Sequence, residues 1–332
     1  MGRSALMDGD TGKMVGVLSG GARWSHLQPI HSPDGKQIYA VETHYSRTWR
    51  GDRTDIVAVY DSQTLEDLGE ISIPAKHAFY PPFQSGSSAL ADGGRFLAAF
   101  NLTPATSLSL VDVKSQKFLS EVETPGCSMA YAAGDRQFAM LCADGSVLVV
   151  SLNEDGTKVT RRRSQPFFDP ISDPITEKGA RHGGSWVFAS FEGYLHEVDV
   201  TSNPPRGLTP WSLFTDDERA DQWRVGGKQH LAVNEPHGLL YSLVHQGGPD
   251  THKDVGSEIW VYDLKSKKKL MSIKIEKPED GLEMIAVSKD ENPILFTAGG
   301  FPLLVSVYDA RTGVHLRNVS RPSLVGSWLE IP

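Results

Sequence analysis

The sequence predicts an all-β fold: a seven-bladed β-propeller with four-stranded antiparallel blades and an incomplete first blade. Three observations predict it. A strand–turn–strand unit recurs along the chain, as in "IVAVYDSQTLEDLGEISI", "EIWVYDLKSKKKLMSIKI" and "VSVYDARTGVHLRNVS". The runs between its copies are short, β-branched and aromatic, and bounded by Gly, Pro, Asn and Asp. Amphipathic helical patterning is almost absent, which argues against a parallel βαβ fold.

The recurring unit carries an Asp or Asn where its first strand ends. The markers are Asp10, Asp61, Asp112, Asn153, Asp199, Asp263 and Asp309, spaced 41 to 64 residues apart. Such a side chain bonds the backbone of its own turn and starts a tight reversal. Upstream of six markers lies another strand pair, including "KQIYAVETHYS", "GRFLAAFNL", "RQFAMLCADGSVLVV", "SWVFASFEGYLHEVDV" and "GLLYSLVHQ". Four strands at this period make a propeller blade. The first marker has too few residues before it for a full blade. The expectation is that roughly 40–50 N-terminal residues, one blade's worth, precede this sequence. The tail "SLVGSWLEIP" would then add a strand to that blade. A six-bladed ring with a frayed N-terminal strand is the rival count. Residues 1–332 read as one propeller domain.

The longest interval, between Asp199 and Asp263, holds "PWSLFTDDERADQWRVGGKQ". Residues 214 to 222 suit a short helix, with Thr215 as N-cap and Glu218 three residues on, a capping box. "HQGGPDTHKDVGSE", residues 245 to 258, is a second polar excursion nearby.

The 332 residues carry a net charge of −8, with 39% hydrophobic and 22% charged residues. That composition suits an ordinary globular chain and argues against nucleic acid as a partner, because phosphate neutralisation needs clustered Lys and Arg. No apolar run approaches the ~20 residues of a membrane helix, so no membrane insertion is expected. The N-terminus lacks a signal-peptide pattern. Cys127 and Cys142 flank a hairpin-like stretch, "CSMAYAAGDRQFAMLC". They read either as a cross-strand disulfide or as two buried thiols.

No catalytic motif is present: no nucleophile elbow, Walker loop, zincin helix or dinucleotide fingerprint. "DGDTGK" resembles the start of a calcium loop but lacks the distal Glu, and reads as a turn. His245, His252, Asp250 and Asp254 read as a flexible polar loop before a metal site. "RRR" at 161–163 reads as a solvated outer edge, and "KSKKK" at 265–269 as a charged turn. The densest unusual stretch is "VETHYSRTWRGDRTDIVAVYD", residues 41 to 61. It reads as a loop on one face. Tyr45 and Trp49 there either meet a partner or ligand or pack on a neighbouring blade.

Residues 43–61, "THYSRTWRGDRTDIVAVYD", resemble the R-x-x-x-G-x-R-x-D-x-V-x-V-x-D segment of the heavy subunits of quinoprotein amine dehydrogenases. "ADQWRVGG" at 220–227 is similar to that family's A-D-x-W-x-P-G-G, with Val225 replacing Pro. "PATSLSLVDV", "PWSLFTDDE" and "GGPDTHKDVGSEIWVYD" look closest to the aromatic (aralkyl) amine branch. The resemblance spans nearly the whole chain. It implies a seven-bladed propeller and a periplasmic heterotetramer of two heavy and two small subunits. It implies oxidative deamination of primary amines to aldehyde and ammonia, with electrons passed to an azurin- or amicyanin-type blue copper protein. The cofactor, tryptophan tryptophylquinone, belongs to the small subunit, so this chain is expected to hold neither cofactor, metal nor catalytic residue. By the same resemblance Tyr45 walls the amine channel with His44 beside it, and Cys127 and Cys142 form a disulfide in the oxidising periplasm. Two other classes stay open: a propeller that only binds proteins, and a stand-alone propeller enzyme with a central metal or lactonase-type site.

Overall fold

The computed structural model describes residues 2–21, 28–77, 86–275, 281–299, 303–319 and 328–331. They form seven antiparallel sheets that follow one another along the chain, consistent with a seven-bladed β-propeller whose first blade has two strands. The two-stranded sheet pairs Gly2–Met7 with Met14–Gly20. The second sheet is a meander of Ile30–His31, Gln37–Arg47, Arg50–Asp61 and Asp67–Ile73. The third runs from Ser88 to Glu123, the fourth from Cys127 to Arg163, the fifth from Ala180 to Ser212, the sixth from Trp223 to Lys274 and the seventh from Met284 to Val319.

Burial explains the residue choice. The middle strands Phe96–Asn101 and Ser107–Asp112 are buried at every position. Phe96–Asn101 reads as a near-continuous apolar run, whereas Ser107–Asp112 alternates and buries Ser107 and Ser109, which accept from Asn101 Nδ2. The outer strands Lys117–Glu123 and Lys268–Lys274 are largely exposed and carry charged residues. The contacts fall into two compact units. One comprises residues 1–6, 16–167 and 199–207, the other residues 7–15, 168–198 and 208–332. In the first, Phe96, Phe138, Met140 and Leu110 join the third sheet to the fourth, while Val57, Ile71, Leu97 and Val111 join the second to the third. In the second, Leu195, Leu240 and Trp260 link the fifth and sixth sheets, and Tyr241, Ile285 and Leu295 link the sixth and seventh.

The marker side chains act as expected at six of seven turns. Asp61 Oδ1 accepts from the backbone N–H of Gln63 and Thr64, and Asp309 Oδ1 from Arg311 and Thr312. Asp112, Asn153, Asp199 and Asp263 do the same in their turns. The first marker is corrected. Asp8, not Asp10, accepts from the N–H groups of Asp10 and Thr11. The turn opens two residues earlier than the spacing predicts, and "DGDTGK" is that turn.

The short helix spans Asp216–Ala220, and both halves of its capping box form. "KSKKK" is a turn, with Lys267 at φ 57°. Its Lys269 pairs with Glu218 and lies over the Trp260 ring. The Arg161–Arg163 edge is less solvated than its composition implies. Arg162 donates to the Ser202 carbonyl and to Gln137 Oε1, and Arg163 Nε donates to Ser146 Oγ. Cys127 and Cys142 stand directly opposite in the register of the fourth sheet and are joined by a disulfide. Part of the C-terminal tail, 323–327, lies outside the described residues. Residues 328–331 form no strand. Gln229, between the strands Trp223–Val225 and Leu231–Asn234, instead clamps them: Leu329 N–H donates to its Oε1 at 2.8 Å, and its Nε2 donates to the Leu329 carbonyl at 2.9 Å.

Candidate functional site

The stretch expected to be a loop is a hairpin. The second sheet's two central strands, Gln37–Arg47 and Arg50–Asp61, run 11 and 12 residues, and two residues, Thr48 and Trp49, turn between them. The continuous run of buried residues stops at Thr43, but pairing continues to Arg47–Arg50. Beyond Thr43 the hairpin projects past the buried part of its sheet, and charged and aromatic residues replace the aliphatic ones. It projects at the end of the sheet opposite the Asp61 turn, because alternate connections of a meander lie at opposite ends.

The segment's recurring residues now have physical roles. Gly51 takes φ 94° beside the turn, and a side chain there would run into Ser46 Oγ, so glycine is required. Arg53 grips Asp55 with two parallel bonds: Nε to Oδ1 at 2.9 Å and Nη2 to Oδ2 at 2.8 Å. Asp55 has no exposed surface. It accepts a third bond from His77 N–H at 2.8 Å, while Arg53 Nη2 donates to the His77 carbonyl at 2.8 Å. A buried carboxylate with these partners is compensated. The clamp ties the hairpin to the segment leading toward the third sheet. His77 is buried, with Nδ1 3.0 Å from the Phe100 carbonyl. Burial pushes its pKa down to about 4, against the opposing pull of Asp55.

Residues two apart on a strand share a face. Thr43, Tyr45, Arg53 and Asp55 therefore lie on one face, with Tyr45 directly opposite Arg53 and Thr43 opposite Asp55. Glu42 and His44 lie on the other. The structure thus separates Tyr45 from His44, although they are neighbours in sequence. Tyr45 is half-buried and His44 exposed. Trp49, at the tip, is 50% exposed.

The His44 face holds a feature the sequence reading missed. Glu42 is 2% exposed. Its Oε2 lies 2.9 Å from His44 Nε2 and its Oε1 accepts from Tyr60 Oη at 2.7 Å. Burial and this carboxylate push the Tyr60 phenol well above its usual range. A side chain on Gly20 would collide with the Glu42 carboxylate. A lone Glu at the end of an apolar run gives no sequence signal for such a network.

The polar excursion of the sixth sheet does not bring its His and Asp residues together as a metal-ligand cluster. Among the described residues no group of three or more His, Cys, Asp or Glu side chains could hold a metal ion. His245 organises its own loop, with Nε2 2.9 Å from the Thr251 carbonyl. His252 stacks on Phe191 with ring centroids 3.6 Å apart. The "ADQWRVGG" segment runs from the helix end into Trp223–Val225. There Trp223 packs 4.7 Å from Trp260, and Gly226 leaves room for His245 and the Asp254 carbonyl.

Comparison with known proteins places the chain. Residues 2–325 match the family model described as methylamine dehydrogenase heavy chain. The methylamine dehydrogenase heavy chain of Methylorubrum extorquens is 27% identical over 318 residues, covering 95% of this chain and 76% of the relative. That of Paracoccus versutus is 28% identical, covering 95% and 72%, and that of Methylophilus methylotrophus 26%, covering 96% and 78%. Among solved structures, a functionally unknown protein of Desulfotomaculum acetoxidans superposes with TM-score 0.63 at 12% identity, covering 98% of this chain and 94% of the other. Dihydro-heme d1 dehydrogenase NirN superposes with TM-score 0.60 at 16% identity, covering 95% and 70%. At such identities the two structures speak to the fold alone. The family match, extending over nearly all of the sequence, does more: this chain belongs to the methylamine dehydrogenase heavy chain family.

Proposed function

We propose that this chain is the large, cofactor-free subunit of a periplasmic quinoprotein amine dehydrogenase, folded as one β-propeller domain. It assembles as two heavy chains with two small subunits. The enzyme converts a primary amine and water to an aldehyde and ammonia, and two electrons leave for a blue copper protein. The observation that carries this reading is the family match over residues 2–325. The tryptophan tryptophylquinone of the small subunit would accept the electrons. The described residues of this chain do not fit that group. Trp223 and Trp260 are adjacent, but Trp260 is 2% exposed, carries Lys269 over its ring and donates its indole N–H to Glu258, as a core residue does.

This chain's own part is to wall the amine channel. Tyr45 is half-buried on a long hairpin whose base is fixed by the Arg53–Asp55 pair. A rigidly based aromatic side chain selects amines by shape and excludes water. The aromatic branch is favoured by "PATSLSLVDV", "PWSLFTDDE" and "GGPDTHKDVGSEIWVYD". A second reading, a short alkyl amine as substrate, is favoured by the names of the relatives above.

The test is amine-dependent dye reduction by this chain co-expressed with a candidate small subunit, using phenethylamine-type and short alkyl amines. Turnover only when both chains are present, with aromatic amines preferred, is the expected result. Preference for methylamine would select the second reading. A soluble co-purifying complex that reduces no dye with any amine would overturn both and leave a protein-binding propeller.

A further inference from the structure

Gln229 is 6% exposed, and its backbone is fixed at the start of the seventh sheet. Its N–H donates to the Glu283 carbonyl at 3.0 Å, and its carbonyl accepts from Ile285 N–H at 3.0 Å. These two bonds make a parallel bridge to Met284. The side chain is therefore placed by a rigid base and not by the residues it holds.

Its amide acts as a strand neighbour would. Oε1 accepts from Leu329 N–H at 2.8 Å, and Nε2 donates to the Leu329 carbonyl at 2.9 Å. One side chain thus satisfies both main-chain groups of one residue. A third bond comes from the exposed Lys289, whose Nζ donates to the Ile331 carbonyl at 3.3 Å. Leu329 packs against the apolar cluster that contains Met284, Val305 and Val307. Trp328 donates its indole N–H to Glu330 Oε2 at 3.0 Å. That suits an extended segment, in which residues two apart share a side, and Leu329 takes the side toward the cluster.

Main-chain hydrogen bonds combined with a seat for an alternate side chain are how proteins read extended peptides. Among the described residues, 328–331 make no backbone ladder bond, so side chains hold them. Three such bonds and one leucine are a weak hold beside a strand ladder. An empty site would nevertheless leave a buried amide donor and acceptor unpaired, which is costly, so the site calls for an occupant. The family match over residues 2–325 takes in Gln229, Lys289 and the cluster, but not the segment they hold.

We propose that Gln229, Lys289 and the Met284, Val305 and Val307 cluster form a binding site for a short extended peptide with a leucine-sized apolar side chain, and that residues 328–331 fill it as a detachable clasp. The site is independent of the amine chemistry proposed above.

The experiment compares the full chain with a chain lacking residues 328–332. The probe is a fluorescein-labelled synthetic peptide, SWLEIP, followed by anisotropy. The shortened chain should bind it saturably and at least tenfold more tightly than the full chain, whose own segment competes at a roughly millimolar effective concentration. The thermal midpoint of the shortened chain should lie about 2–4 °C lower, and added peptide should raise it again. Gln229→Leu in the shortened chain should abolish peptide binding without lowering the midpoint further, because the amide it removes has already lost its partners. A peptide with Asp in place of Leu should not bind. If the shortened chain does not fold, Leu329→Asp in the full chain releases the segment without removing it, and the same peptide binding is expected there. A folded chain with the segment removed or released that binds no peptide overturns the proposal. Equal binding by the wild-type full chain, or binding that survives Gln229→Leu, overturns it too, since either would mean adhesion elsewhere on the surface.

Discussion

Tyr45 and His44 differ by one residue and by which face of a strand they occupy. Tyr45 pairs across the hairpin with Arg53, and His44 turns to the buried Glu42. If Tyr45 walls the amine channel, its two substitutions separate cleanly. Tyr45→Ala should change the ranking of amines by roughly 5- to 100-fold between a bulky and a small amine, the scale of a shape misfit of about 1–3 kcal/mol. His44→Ala should leave that ranking unchanged. Steady-state kinetics across an amine series on the reconstituted complex checks both. Unchanged kinetics for Tyr45→Ala, or loss of quinone reduction by every amine, would remove Tyr45 from the channel. The candidate residues were legible because two aromatics among three arginines are unusual in a loop. Their separation was not. Once the apolar run of Ile38–Val41 ends, nothing in the residue types says that the strand goes on, and only a continuing strand assigns faces. Glu42 was illegible for a related reason: its burial depends on Tyr60, 18 residues on, and on the absence of a side chain at Gly20.

At the scale of the element, the hairpin overhang needs an anchor, because a two-stranded ribbon alone is marginal in water. The Arg53–Asp55–His77 clamp supplies one. Removing Arg53 strands a buried carboxylate, so Arg53→Met should destabilise by about 3 kcal/mol, the lower end for a broken buried pair because the Arg53 side chain is 23% exposed. Arg53→Lys should recover little, since an ammonium cannot make the two parallel bonds. Urea unfolding gives the stability change, and amide exchange at residues 44–54 should quicken. A loss that leaves hairpin exchange untouched would show that the clamp supports the core only. The disulfide sets a second elemental prediction. Cys127 and Cys142 are 15 residues apart, and closing such a loop contributes about 3 kcal/mol in the chain-entropy model. The thermal midpoint should fall on reduction, and a midpoint indifferent to reductant would contradict it. Both the helix cap at Thr215 and the sheet meanders were readable, since each depends on residues a few positions apart. The tail was not. Its partner, Gln229, lies 100 residues away, and a glutamine in a short connection does not announce what it will hold.

Across the whole molecule, stability should depend on pH through histidines that the fold keeps neutral. Burial lowers His77 to about 4 and His230 to about 3, while in the unfolded chain both titrate near 6.5. Between those values the unfolded chain binds the extra protons, so stability falls as pH drops below about 6.5. From pH 7 to pH 5 each such histidine should remove about 2 kcal/mol at 1.36 kcal/mol per unit. His182 works in the opposite sense. The Glu197 carboxylate, 3.7 Å from its Nδ1, raises its pKa, and that contribution is present below 6.5 and lost as pH rises through the folded value. The carboxylates held low by their partners, such as Glu121 and Asp112, lose their contributions only below the ordinary carboxylate range, so they act later in an acid titration. Burial lowers His252 as well, so the net effect is a loss beginning near pH 6.5, three histidines against one. His77→Asn keeps a donor for the Phe100 carbonyl without the titrating ring. Its stability at pH 7 should drop modestly, and its fall between pH 7 and 5 should be shallower than wild type by about 2 kcal/mol. Denaturant unfolding of both chains at the two pH values decides it: parallel losses would mean that His77 is not what makes the fold acid-sensitive.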